Sequence, residues 1–167
     1  LIKRQWIPHV EKSYRIGPAV VGILRFNRKQ IAISSMHLSP GKQGAAHRKQ
    51  QLEAVIRFCE QQNIAHWILA GDMNMRTSEE NTIETLPSSG VLNDIWKIAG
   101  HAKNRWTWDS YQNHYHPKGH AFRARFDRIY LYSSSLQPIK FSRIGDQPLV
   151  HQNHFSSDHF GLWAIFE

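Results

Sequence analysis

Cysteine is almost missing from this chain: Cys59 is the only one in 167 residues. A lone thiol excludes an internal disulfide framework; it is neutral about compartment but fits a reducing, intracellular one. A small buried position is expected for it. Long apolar runs are missing too, and nothing approaches the roughly 20 residues of a membrane span. Residues 1–6 lack the charged-then-apolar pattern of a secretory signal. No internal repeat, low-complexity tract or interdomain linker interrupts the sequence, so residues 1–167 are expected to form one domain.

Acidic charge is also in short supply. Lys and Arg total 21 against 13 Asp and Glu, a net charge of +8 with neutral histidines. Such an excess favours partners that carry phosphates, whose condensed counterions are released on binding. The basic residues are scattered, which points to a basic face and not a tail; a generic basic protein has the same balance.

Residues 19–26 (AVVGILRF) and 30–38 (QIAISSMHL) read as strands, joined by a connector short enough for an antiparallel hairpin. Ser39-Pro40-Gly41 stops the second strand. Over residues 45–62, Leu52, Val55, Ile56 and Cys59 recur at i, i+3, i+4 and i+7, the pattern of an amphipathic helix. Residues 67–70 form a buried strand, and this strand–helix–strand order predicts a mixed sheet with helices outside it. Residues 87–90 read as a turn, 92–99 as a short helix that Gly100 can end, and 107–109 as irregular. Two further strands are expected at 126–132 and 160–166.

Polar groups crowd the ends of these strands. In WILAGDMNMR, residues 67–76, four apolar residues lead into Asp72, Asn74 and Arg76. SSMHLS puts His37 at a strand end, RARFDRIYLY opens a strand with Arg125, Asp127 and Arg128, and SSDHFGLWAIF sets Asp158 and His159 before another. A charge at the mouth of a core strand is costly unless it is paired or used, although any one such stretch also reads as an ordinary turn. Strand ends along one edge of a layered α/β structure hold side chains rigidly, and sites form there. A carboxylate can orient water or bind a hard cation. A histidine held by a second carboxylate can move a proton or steady developing charge. Asn74 and Arg76 suit phosphate oxygens. Together these are parts for hydrolysis of a phosphoryl ester.

GDMN at 71–74, RFDRI at 125–129 and SDH at 157–159 resemble the motifs of the endonuclease/exonuclease/phosphatase superfamily of divalent-metal phosphoesterases. HL at 37–38, RxxQL from Arg48 to Leu52, GDxNxR at 71–76, TWD at 107–109 and SDHxGL at 157–162 are similar to those of the 5′-tyrosyl-DNA phosphodiesterases. The resemblance implies a four-layer α-β-β-α sandwich, of which this chain carries the C-terminal part. It implies hydrolysis, with magnesium or manganese, of phosphoester bonds at DNA ends. The substrates would be 5′-phosphotyrosyl adducts on single-stranded DNA ends, and the role DNA repair. Abasic-site nucleases, RNA deadenylases and phospholipid phosphatases share this chemistry, and fold kinship does not choose among them. An inactive module that binds nucleic acid is the alternative of another class.

The resemblance also implies roles. Asp72, with Asn74, would orient the attacking water and contact the scissile phosphate. His159, with Asp127 as its carboxylate partner, would stabilise charge on the phosphoryl oxygens. Asp158 would lie beside the metal or its waters, and His37 and Arg76 would contact phosphate oxygens. Trp108 and Phe126 would wall the first nucleotide, although Trp108 reads equally well as core packing.

Two departures bear on the metal. The family's opening strand with its Asn, and the Gln-Glu motif that supplies the principal magnesium ligand, have no counterpart; Glu11 in PHVEKS lacks that setting. An absent N-terminal portion and crippled metal binding are therefore expected. One sheet short of strands would leave an unpaired edge or a bare apolar face. Ser39-Pro40-Gly41-Lys42 replaces the family's Glu-Ser-Thr-Arg, and Lys42 keeps a charge without the bidentate fork. Finally, HYHPKGH at 114–120 offers His114, His116 and His120 either as a transition-metal site or as an exposed loop turning at Pro117 and Gly119.

Overall fold

The structure, a computed structural model, describes residues 4–26, 28–86, 92–116, 119, 121–150 and 154–167. In chain order its first elements are β1 (Val10–Ile16), β2 (Ala19–Phe26), β3 (Lys29–His37), α1 (Ala45–Gln61) and β4 (His66–Asp72). They are followed by β5 (Leu92–Asp94), α2 (Ile95–Ala99), the two-residue strands β6 (Trp108–Asp109) and β7 (Arg123–Ala124), and β8 (Asp127–Tyr132). The last two are β9 (Pro138–Ile144) and β10 (Gly161–Phe166).

Six strands make one mixed sheet in the order β1-β2-β3-β4-β8-β5. β1, β2 and β3 pair as successive antiparallel hairpins, and α1 then carries the chain across so that β4 lies parallel to β3. β8 returns antiparallel beside β4, with β5 on its far side. Alternation along the strands sends Trp67, Leu69 and Tyr130 to one face, and Ile68, Ala70, Ile129 and Leu131 to the other. The first face receives α1 through Leu52, Val55, Ile56 and Cys59, the stripe its periodicity predicts. Burial of each such aliphatic side chain contributes about 1.5–3 kcal/mol. Burial, with a smaller contribution from the charge of Glu60, pushes the Cys59 thiol up to about 12, so it packs as an inert apolar group.

The second face meets a two-stranded sheet, β9 with β10. Phe141, Leu162, Ala164 and Phe166 pack there against Ile129, Leu131 and the Ile95, Trp96 and Ala99 side chains of α2. Two sheets thus face each other with α1 outside the larger one. On β9 and β10, Ile139, Trp163 and Ile165 are exposed, with the Lys140 ammonium 5.3 Å over the Trp163 ring. Among the described residues no helix is long and apolar enough to cross a membrane.

Several elements differ from the sequence pattern. Residues 92–99 are not one helix. Leu92, Asn93 and Asp94 pair with Tyr132, Leu131 and Tyr130, and the helix begins only at Ile95. Asp94 sets that boundary, since its carboxylate accepts the Trp96 N–H at 3.1 Å while Arg125 holds it at 2.7 Å. β1 (VEKSYRI) and β9 (PIKFSRI) carry too many polar residues for an apolar pattern to mark them. Trp108 and Asp109, expected to be irregular, pair with Ala124 and Arg123. The turn at 87–90, together with Pro117 and His120, lies outside the described residues.

Candidate active site

Three neighbouring strands place polar side chains in a single register row. His37 at the end of β3 lies beside Asp72 at the end of β4, and Asp127 at the start of β8 lies on the other side of Asp72. The row closes up because residue 71 is glycine. Its φ of 139° suits glycine, and a Cβ there would collide with the Met36 carbonyl oxygen. Asn74 follows in a left-handed conformation, φ 50°, which Asn adopts more readily than most residues. Its backbone N–H donates to Asp72 Oδ1 at 2.8 Å, and its Nδ2 donates to the Leu38 carbonyl at 2.9 Å and to Asp72 Oδ2 at 3.3 Å.

His159 completes the group from the other sheet. Its Nδ1 lies 2.7 Å from Asp127 Oδ2, so the imidazole donates there, and its Nε2 lies 3.9 Å from Asp72 Oδ2. His37 Nε2 is 3.5 Å from the same Asp72 oxygen. Burial and then the charge of Asp127 raise the pKa of Asp72, against the Asn74 N–H and the two imidazoles, which lower it. For His159, burial opposes protonation, but the hydrogen bond and charge of Asp127, helped by Asp72 and Asp158, prevail and raise its pKa. A carboxylate drawn toward its protonated form beside a stabilised imidazolium is an arrangement suited to moving protons.

These groups open onto one cleft of about 780 Å³. His37, Asp72, Asn74, Arg76, Asp158 and His159 form its polar lining, and Trp108, Phe122 and Phe126 its apolar side. Asp127 is outside that lining; it backs His159 from behind. The half-buried Trp108 stands edge-on to His159, with ring centres 4.9 Å apart, so it both packs and faces the cleft. The Arg76 guanidinium lies 5.8 Å above the Phe122 ring, and its buried Nε has no hydrogen-bond partner among the described residues. An anion in the cleft would satisfy that donor.

The RxxQL stretch builds one rim. Arg48 is 2% exposed and donates to both Glu79 carboxylate oxygens, at 3.0 and 2.7 Å. Its Nη1 donates to the carbonyls of Ser39 and Gly41 at 2.8 and 2.7 Å. Gln51 closes the same loop, accepting the Ser39 N–H at 2.9 Å and donating to Ser39 Oγ at 3.0 Å. Pro40 and Gly41 thereby line the cleft, while Lys42 is exposed and does not. Glu79 also accepts the Arg76 N–H at 3.2 Å, which ties the rim to the orphaned guanidinium.

Other residues singled out in the sequence go elsewhere. Arg125 and Arg128 are buried with Asp94 and Glu80 and do not line the cleft. His116 meets the Trp108 ring at a tilt, with centres 4.3 Å apart, and His114 meets Phe155 at 6.0 Å, so the two serve as ring contacts. Among the described residues no three His, Cys, Asp or Glu side chains are grouped to hold a metal. Asp158 accepts the Ser157 hydroxyl, Asp72 is bonded by Asn74 and Asp127 by His159. These carboxylates therefore do not make a complete divalent-metal site by themselves. Phe122 and Glu79 carry no sequence signal of their own; Phe122 is hinted at only by lying four residues before Phe126.

The chain is similar to known proteins in sequence and in fold. Tyrosyl-DNA phosphodiesterase 2 of Danio rerio is 30% identical over 153 residues, covering 88% of this chain and 41% of that protein. The Homo sapiens protein of the same name is 31% identical over 139 residues, covering 80% of this chain and 38% of that protein. The chain thus spans less than half the length of these curated relatives. The crystal structure of D. rerio TDP2 complexed with single strand DNA product matches 89% of this chain and 61% of its own, with a TM-score of 0.79 at 27% identity. Truncated Caenorhabditis elegans TDP2 matches 94% of this chain and 66% of its own, with a TM-score of 0.77 at 25% identity. The model of the Endonuclease/Exonuclease/phosphatase family matches residues 5–159, a span that holds the whole register row and ends on His159 itself. The chain belongs to the Endonuclease/Exonuclease/phosphatase family.

Proposed function

We propose that this chain carries the reacting half of a phosphodiesterase that releases 5′-phosphotyrosyl adducts from single-stranded DNA ends, a repair activity. One observation carries the reading: His37, Asp72 and His159, the last backed by Asp127, converge on a cleft where the buried Arg76 Nε has no partner among the described residues. Asp72, fixed by Asn74, orients the attacking water and takes its proton as the new P–O bond forms. His159, held by Asp127, donates from Nε2 to a phosphoryl oxygen as charge develops on it. Arg76 and His37 bind further oxygens of the phosphate. The bond from phosphorus to the phenolic oxygen breaks, and a phenolate with a conjugate-acid pKa of about 10 needs little help to leave. Trp108, Phe122 and Phe126 offer the first nucleotide an apolar wall, which a bare phosphate would not use.

Magnesium, or manganese, is the metal the family resemblance implies, with Asp158 as the carboxylate beside it. The side chains described above do not complete its shell, and no step here passes through it. The test is tyrosine release from a 5′-phosphotyrosyl single-stranded oligonucleotide, with magnesium and with chelator, beside Asp72→Ala. Release that requires Asp72 supports the reading; release unchanged in Asp72→Ala overturns the assignment of that residue. Tight oligonucleotide binding without hydrolysis of this or any other phosphoester in a panel (abasic DNA, poly(A), a phosphoinositide) makes the chain a binding module. The incomplete metal shell is the observation that favours this second reading.

A further inference from the structure

Asp127 opens β8 in the large sheet, whereas His159 sits just before β10 in the small one, yet they meet at 2.7 Å. Contact this close between two separate sheets needs both backbones fixed at once. Residues 107–113 do this. Thr107 is 1% exposed, and its Oγ1 accepts the backbone N–H of Phe126 at 3.1 Å and that of Asp127 at 3.0 Å. The Thr107 carbonyl accepts the Phe160 N–H at 2.7 Å. Asn113 is fully buried, and its Nδ2 donates to the Ser157 carbonyl at 2.8 Å. Residues 157 and 160 bracket Asp158 and His159, so one segment grips both ends of the histidine's turn. The same threonine grips Asp127.

Valine has the same shape as threonine, so packing alone does not call for a hydroxyl at residue 107. Its two lone pairs match two N–H groups that valine would leave orphaned in a buried setting. Asn113 is anchored in turn: its N–H donates to the Asp109 carbonyl at 2.8 Å, and its Oδ1 accepts the Tyr115 N–H at 3.0 Å. The brace is therefore rigid at its own base.

We propose that Thr107 and Asn113 are positioning residues that set the separation and mutual orientation of His159 and Asp127. The proposal rests on the roles given to that pair above for its kinetic consequence, but not for its spectroscopic one. The test compares Thr107→Val, Thr107→Ser and Asn113→Ala in this chain. The first readout is the NMR signal of the His159 Nδ1–H, assigned through His159→Gln and moved downfield by its short bond to Asp127. The signal persists in the parent and in Thr107→Ser; it moves upfield or vanishes in Thr107→Val and Asn113→Ala, with the sheet amides unchanged. On the phosphotyrosyl oligonucleotide, Thr107→Val lowers kcat by about 10–100-fold, with KM nearly unchanged, and Thr107→Ser restores it. A chain without activity leaves the NMR arm to decide, so failure of the hydrolase reading is told apart from failure of the brace. In the unaltered chain the amides of Asp127 and Phe160 exchange as slowly as those of β4, a measurement that needs no variant. A Val variant that keeps the imidazole signal, or a Phe160 amide that exchanges like an exposed loop, overturns the proposal.

Discussion

Arg48→Met is the sharpest probe of how the cleft is supported. The Arg48 side chain is 1% exposed and its partner Glu79 10%, so the pair sits in a poorly solvated place. Removing the guanidinium leaves a buried carboxylate with only the Arg76 N–H to compensate it, and breaking such a pair costs about 3–5 kcal/mol. The carbonyls of Ser39 and Gly41 lose their donor as well, but their loop reaches solvent, and water recovers most of that loss. A total of about 4 kcal/mol is a large part of the about 5–15 kcal/mol available to a folded chain. For a chain of this length it lowers Tm by about 8–16 °C. Urea titration followed by fluorescence of the buried Trp67 measures the loss. Replacing both partners, Arg48→Met with Glu79→Leu, recovers most of it, because an apolar pair leaves no charge behind. A single-variant cost below about 1 kcal/mol, the value of an exposed pair, refutes the reasoning. So does a double variant whose cost is the sum of the two singles.

Asp127→Asn keeps the shape beside His159 but removes the charge that sustains its protonation, and kcat falls by about 10²–10⁴-fold while oligonucleotide binding holds, as single-turnover kinetics read it. The raised pKa of His159 has a stability signature. Its contribution is complete below its ordinary value of 6.5 and is lost as pH rises through the raised one, so the urea midpoint falls over that interval and the fall flattens in His159→Gln. Asp72, also raised, gives the same sign lower down: stability is lost as pH climbs above its ordinary 3.8, and Asp72→Asn removes that slope. Gly71→Ala costs well over about 1 kcal/mol, since its φ is foreign to alanine and the Cβ meets the Met36 carbonyl; an unchanged urea midpoint contradicts the close approach of β3 and β4.

Much of this was legible in the sequence where one-dimensional pattern and physics coincide. Helix α1 follows from its apolar stripe, and β2, β3, β4, β8 and β10 from apolar runs broken by turn residues. The polar groups at the strand ends were also visible, because charge is costly there. Three kinds of feature were not. β1 and β9 are strands of low apolar content whose exposed faces erase the alternation. The boundary inside residues 92–99 depends on Asp94 being gripped by Arg125, a tertiary ion pair that local propensity cannot register. Arg48 is in line with the apolar stripe, four residues before Leu52, but its charge argues for exposure; it is buried because Glu79 and two loop carbonyls supply what water otherwise would. Phe122, just before β7, lies outside any strand or helix and so has no periodic context.

Topology explains why the motifs fall where they do along the chain. The helical crossover makes β3 and β4 parallel, so both deliver their C-terminal ends, His37 and Asp72, to one edge of the sheet. β8 runs the other way and can reach that edge only with its first residue, Asp127. Two motifs therefore close strands and the third opens one, although all three lie side by side. The same geometry sets two carboxylates against each other across an antiparallel pair, an arrangement that destabilises a sheet. It persists here because the imidazoles of His37 and His159 and the amide of Asn74 surround the excess charge. The left-handed backbone at Asn74 and the charge at Asp72 are thus concentrated where the sheet meets the cleft, and the α1 core offsets them.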